Sequence, residues 1–205
     1  MATSQQTRSN ITLRGSTEIV TEFFGFSINN ILYQRGIYPP ELFKPVNKYG
    51  LTLLVASDEG LRRYLSQVLT QISEWLMNRC IQKLVIVIAS VTTQQVLERW
   101  VFNIEADRSF SDARPAQKPE REIQSEIQAI MRQITSSVSC LPLLREACTF
   151  DLLVYTDESC EIPHAWEVSD PKYISNSAEV RLRSFTTKVH KVDACVAYRR
   201  TDDDL

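Results

Sequence analysis

The C-terminal stretch EVRLRSFTTKVHKVDACVAYRR, residues 179–200, alternates apolar and polar positions and changes phase twice. Val180 and Leu182 share one parity, against Arg181 and Arg183. Phe185 and Val189 take the other. Val192, Ala194, Val196 and Tyr198 return to the first. Because side chains alternate with a period of two, each slip carries the apolar set to the opposite face. Two readings stand: a β-hairpin with a bulge, and a segment that re-pairs and offers its apolar face in more than one setting.

Upstream, the pattern is more regular. Ile11 and Leu13 alternate with Thr12 and Arg14, predicting a short edge strand after a loose arm at residues 1–10. Ser16 as N-cap, with Glu18 in the first turn, predicts a helix to about Gln34, its apolar stripe running from Ile19 and Val20 to Ile31 and Leu32. Gly36, Pro39 and Pro40 close it. Residues 51–57 predict a strand, with Ser57 capping a second helix whose stripe runs Leu61, Leu65, Val68, Ile72, Trp75, Leu76. Residues 81–90 form an unbroken apolar run of strand length. Residues 96–105 alternate, and the short link between them predicts an antiparallel hairpin. Residues 106–119 are a loop by composition. Pro119 opens a third helix carrying Ile123, Ile127, Ile130, Met131, Ile134 and Val138. A strand over 150–157 follows. Residues 162–178, with Pro163 and Pro171, form an irregular link of the length that lids and binding loops have.

Composition narrows the function classes. The 205 residues suffice for one large domain or two small ones, and no second hydrophobic core is visible. A net charge of −2 argues against a nucleic-acid binder held by phosphate contacts. No apolar run approaches the ~18 residues of a membrane span. The polar start has no signal-peptide core. Five cysteines without a C-x-x-C pair fit a reduced, cytosolic or nuclear compartment and neither a disulfide framework nor a zinc site. All five glycines fall in the first 60 residues and form no nucleotide-binding turn.

The one enzymatic reading pairs Cys160 with His164, but Glu158 and Glu161 flank the cysteine and oppose a thiolate. His190 is read as lying on a strand face rather than on a metal. The basic run Arg181, Arg183, Lys188, Lys191, Arg199, Arg200 is read as the solvated face of a hairpin, with Asp202–Asp204 as counter-charge. Arg132 and Gln133 project opposite the third helix's apolar stripe, either into solvent or toward a partner.

Seven segments, taken in order, carry a resemblance: NNILYQRGIYP (29–39), KYGLTLLV (48–55), IQKLVIVI (81–88), VLERW (96–100), EIQAIMRQIT (126–135), FDLLVYTD (150–157) and LRSFTTKVHKVDACVAY (182–198). They resemble the HORMA domains of the mitotic-arrest-deficient proteins of the spindle assembly checkpoint. The resemblance implies a single α+β domain over 11–200, with three helices on a mixed, mainly antiparallel sheet and a mobile safety belt and tail over 158–205. In the open form the belt covers one sheet edge. In the closed form it moves to the other edge and traps a partner peptide.

The implied peptide contacts are Phe150, Leu152, Leu153, Val154, Tyr155 and Trp166. The implied belt lock is Arg183, Phe185, Val189, His190, Val196 and Tyr198. The strand at Ile11 and Leu13 is displaced on closing. Open and closed copies dimerise through Arg132, Gln133 and Cys140, the last replacing an aromatic. The implied partners are the kinetochore checkpoint scaffold, the coactivator of the anaphase-promoting complex, a second copy of the chain, and a HORMA-like adaptor with its AAA+ ATPase remodeller. The places are nucleus, kinetochore and cytoplasm. No cofactor, metal or catalytic residue is implied. The alternative within the same fold is an adaptor in translesion synthesis or a protein of the meiotic chromosome axis.

Overall fold

A computed structural model of the chain describes residues 9–200; the rest of the N-terminal arm and the acidic tail with Asp202–Asp204 lie outside them. Along the chain run β1 (Ser9–Ile11), α1 (Leu13–Gln34), β2 (Phe43–Lys48), β3 (Leu51–Ala56), α2 (Glu59–Met77), β4 (Ile81–Ser90), β5 (Val96–Ala106), β6 (Ala116–Lys118), α3 (Glu120–Ser136), β7 (Cys148–Thr156), β8 (Ser177–Thr186) and β9 (His190–Arg199).

The main sheet has five strands in the order β7-β4-β5-β9-β8. Its rows explain the sequence pattern. Leu152, Ile86, Trp100 and Val196 stand directly opposite one another across four strands, and Val154, Leu84, Phe102 and Ala194 form the next row. These rows face the helices and belong to one continuous core. Leu153, Val85, Val101 and Cys195 alternate onto the other face, where a smaller cluster sits. The unbroken apolar run of β4 arises because both faces of this central strand are covered.

All three helices lie on the first face. α1 is central: Phe23 and Phe24 pack edge-on against Phe102 at centroid distances of 5.8 and 5.7 Å. α2 contacts β4 on one flank, and α3 contacts β8 on the other. The three helices and the mainly antiparallel sheet agree with the expected fold. Every ladder among the described residues is antiparallel, so the parallel part of the expected mixed sheet does not occur there.

Several local expectations are corrected. α1 starts at Leu13, capped by Thr12, whose side chain accepts from Gly15 N. The Leu13 N–H donates to Asp112 Oδ1 at 2.9 Å, a partner 99 residues away that fixes where the helix begins. Ser16 is therefore inside the helix, and Leu13 is not in a strand. The strand ends at Ile11, starts within the expected loose arm, and pairs with β6. Asp58 rather than Ser57 caps α2, and Pro119 precedes α3 rather than opening it.

Two strands escaped the pattern. β2 carries Pro45, which a two-stranded ribbon tolerates and a central strand does not. β6 is three residues in a polar loop. The β2–β3 turn uses Tyr49 and Gly50 at φ 53° and 68°. Gln128 of α3 donates to Tyr49 O at 2.7 Å, and a Cβ on Gly50 would stand 2.9 Å from that same amide nitrogen.

Candidate functional site

β7 is an outer strand: it pairs with β4 on one side, and among the described residues no strand pairs on the other. The chain leaving it wraps that edge. The Asp157 N–H donates to Cys80 O at 2.8 Å, the Trp75 indole N–H donates to Glu161 O at 3.1 Å, and Trp166 packs edge-on against Trp75 with centroids 4.8 Å apart. These contacts hold the segment on the helix side of the sheet. Further along, Lys172 pairs with Asp151, and Tyr173 covers the Arg99 guanidinium at 4.7 Å from the ring centroid. Asp151, Val87 and Arg99 form one row on the opposite face. Residues 157–176 thus pass from one face to the other around the unpaired edge of β7.

The segment ends in the β8–β9 hairpin, which lies beside β5 at the far edge of the sheet. The first phase slip in the sequence is a bulge: between Arg181 and Ser184 on β8 the register gains one residue over β9. The second is the turn before His190. At the bulge the Arg183 N–H donates to Gln133 Oε1 at 2.6 Å. The Thr186 N–H donates to Glu126 Oε2 at 3.1 Å, and Lys118 Nζ donates to Thr186 O at 2.8 Å and to Glu126 at 2.7 Å. Gln133 and Glu126 are seven residues apart, on one face of α3, so this helix face closes the outer side of β8.

The hairpin is also anchored from within. Phe185 is 1% exposed and packs edge-on against Phe23 at 4.8 Å. His190, equally buried, bonds through Nδ1 to Ser16 Oγ at 2.7 Å and through Nε2 to Leu76 O at 3.3 Å. A carbonyl only accepts, so Nε2 carries the hydrogen and Nδ1 accepts from the Ser16 hydroxyl, which in turn bonds Thr187 Oγ1 at 2.6 Å. Burial lowers the His190 pKa from 6.5 to about 4, and Arg79 pushes it the same way against the Leu76 carbonyl. The imidazole is neutral, and it ties α1 and the end of α2 to the hairpin turn.

The HORMA domain profile matches residues 16–192. The chain belongs to the HORMA family. It is 57% identical over 203 residues to the mitotic spindle assembly checkpoint protein MAD2A of Dictyostelium discoideum, covering 99% of this chain and 100% of that protein. To the human protein of the same name it is 54% identical over 200 residues, covering 97% and 98%. Among solved structures it is similar to a chain of the crystal structure of a mitotic checkpoint complex, at TM-score 0.84 and 45% identity, covering 91% of this chain and 99% of that one.

Within the HORMA fold, the residues expected at a peptide site divide between two faces. Phe150, Leu152 and Val154 pack toward the helices, Phe150 lying 6.1 Å from Tyr38 and 6.0 Å from Tyr64 between ring centroids. Leu153 and Tyr155 face the other way, and Trp166 sits on Trp75. Of the residues expected to lock the belt, Phe185, Val189, His190 and Val196 are buried and Tyr198 is half-buried. Arg183 has an exposed side chain and acts through its backbone N–H. Arg132 and Cys140 are exposed, whereas Gln133 is already engaged by the hairpin.

Sequence reasoning missed three elements. Arg35 and Glu98 form a buried pair: Nε donates to Oε2 at 3.1 Å, Arg35 also donates to Pro142 O at 2.6 Å, and the Trp100 indole donates to Glu98 at 3.0 Å. A buried acid on an otherwise apolar strand parity was the available signal for Glu98. Ser16, a good N-cap by residue type, serves instead as a hydrogen-bond bridge between Thr187 and His190. Lastly, Cys80 and Cys160 are joined in a disulfide, a pairing that the reading of the five cysteines as a reduced set without a disulfide framework did not include. Cys160 is thus bonded to Cys80 rather than paired with His164, whose side chain is exposed.

Proposed function

We propose that this chain is a spindle assembly checkpoint protein in the closed topology, in which residues 157–176 form a belt that traps a partner peptide along β7. One observation carries the reading: the hairpin sits beside β5 while the belt encircles the unpaired edge of β7. An extended peptide would add a sixth strand there. Backbone bonds would supply affinity, and alternate side chains would meet Phe150, Leu152 and Val154 on one face and Leu153 and Tyr155 on the other. Trp166, held on Trp75, would close the belt over it. Val196 and Tyr198 would keep the hairpin on its edge. In the open form the hairpin would cover β7 instead, leaving β5 to the N-terminal strand around Ile11.

The proposed partners are peptides of the kinetochore checkpoint scaffold and of the coactivator of the anaphase-promoting complex, whose sequestration delays anaphase. A second copy would dock through Arg132, Gln133 and the region of Cys140. A HORMA-like adaptor with an AAA+ remodeller would reopen the belt. The proposed locations are nucleus, kinetochore and cytoplasm. A role in translesion synthesis or on the meiotic axis fits less well, because full-length relatives at more than half identity carry spindle-checkpoint names.

The test uses synthetic scaffold and coactivator peptides. They should co-elute with the protein on a sizing column, dissociate slowly, and protect outward β7 amides from hydrogen exchange. Binding that leaves those amides unprotected would overturn the assignment of the edge.

A further inference from the structure

We propose that Cys80 and Cys160 form a redox-controlled staple that sets the slack of the belt, a thiol–disulfide modification site at its root. The proposal rests on the closed-belt reading above. Their Cα atoms are 5.5 Å apart, inside the window a disulfide requires, and 80 residues separate them in sequence. Cys80 lies between the end of α2 and the start of β4, and Cys160 lies four residues beyond the end of β7.

Position gives the bond its consequence. Without it, the last sheet-like hydrogen bond before the belt is from the Asp157 N–H to Cys80 O, so the belt is rooted at Asp157. With it, the root moves to Cys160. The other end is fixed where β8 begins at Ser177. The free run shrinks from 158–176 to 161–176, three residues or ~10 Å of extended chain. The remaining contacts at the root, the Trp75–Glu161 hydrogen bond and the Trp75–Trp166 stack, are reversible on the timescale of local opening, whereas the disulfide is not. Oxidation therefore fastens the belt down over the β7 edge, and reduction releases its root.

The chemistry balances with a small-molecule disulfide such as oxidised glutathione. Cys160 is the half-buried member and Cys80 is 5% exposed, so Cys160 meets the oxidant. Its thiolate attacks one glutathione sulfur and expels the other as thiolate. The Cys80 thiolate then attacks the Cys160 sulfur of the mixed disulfide and expels the second glutathione. Two protein thiols become one disulfide, and one glutathione disulfide becomes two thiols. In the reducing compartment proposed above, such a pair cycles with the redox state rather than persisting as structural reinforcement. Cys140, Cys148 and Cys195 remain free in the same fold, so the pairing is selective.

The experiment equilibrates the full chain in buffers of stepped reduced-to-oxidised glutathione ratio, blocks free thiols with N-ethylmaleimide, and maps peptides by mass spectrometry. A linked 80–160 peptide should form with oxidised glutathione and vanish with reduced. Hydrogen exchange at 158–166 should then rise at least tenfold on reduction, while protection at 190–199 stays constant. Cys160→Ser should show the reduced exchange pattern in both buffers. Absence of the linked peptide in oxidised glutathione alone, or equal belt exchange in both states, overturns the staple. Missing protection at 190–199 in both states overturns the closed-belt reading and the belt role with it, and the linked-peptide mass distinguishes that failure from failure of the thiol pair.

Discussion

Acidification should loosen the hairpin through one residue, His190. Its imidazole is neutral and buried among Ser16, Leu76 and the turn residue Thr187. Its folded pKa is about 4, against 6.5 when exposed. The folded state therefore binds fewer protons than the unfolded state in the window between the two values. This contribution is fully present above pH 6.5 and is lost as pH falls toward 4. At 1.36 kcal/mol per pH unit, the loss reaches about 2 kcal/mol by pH 5 and ~3 kcal/mol once both states are protonated. His190→Gln removes the titration while keeping a polar side chain. Urea unfolding of both proteins at pH 8 and pH 5 measures the difference. The variant starts weaker at pH 8, and the wild type should lose about 2 kcal/mol more than the variant between the two pH values, because every other ionisable group is common to both proteins. An equal loss in the two proteins would show that His190 titrates normally, and would remove the Ser16–His190–Leu76 chain as an anchor of the hairpin.

Other outcomes follow from the same geometry. Glu98→Ala leaves the Arg35 guanidinium and the Trp100 indole N–H buried without their acceptor, so unfolding free energy should fall by about 3–5 kcal/mol; a loss below 1 kcal/mol in urea titration would contradict that. Deleting residues 195–205 removes Val196 and Tyr198 and the pairing of β8 from Ser177 to Arg181. The truncated protein should still unfold cooperatively yet fail to retain a scaffold peptide on a sizing column, and retention at the full-length level would show that the final strand is no lock. Arg132→Ala touches an exposed side chain, so peptide capture should persist while self-association weakens by about 2 kcal/mol, read by sedimentation; unchanged sedimentation removes Arg132 from the interface.

Periodicity made the three helices and strands β3, β4, β5 and β7 legible, because burial on one face or on both writes a period into the chain. The slip at Ser184 and Phe185 likewise marked the bulge, since an inserted residue must invert the parity that follows. The long irregular link before β8 has the length of a lid or binding loop, and the structure wraps it around the edge of β7. The resemblance of seven ordered segments supplied the family. What the chain in isolation left open was every pairing between distant segments. Val192, Ala194 and Val196 present an apolar parity that suits either outer edge of the sheet, and only three-dimensional packing puts them opposite Ile104, Phe102 and Trp100. Thr12 and Ser16 are equally good caps in one dimension, and Asp112, 99 residues from Leu13, decides between them. Arg35 meets Glu98 across 63 residues and Cys80 meets Cys160 across 80, spacings that carry no periodic signal. Local side-chain chemistry fixes which elements form, whereas a strand edge is a generic row of backbone donors and acceptors. Which edge is filled therefore depends on the core assembled beneath it.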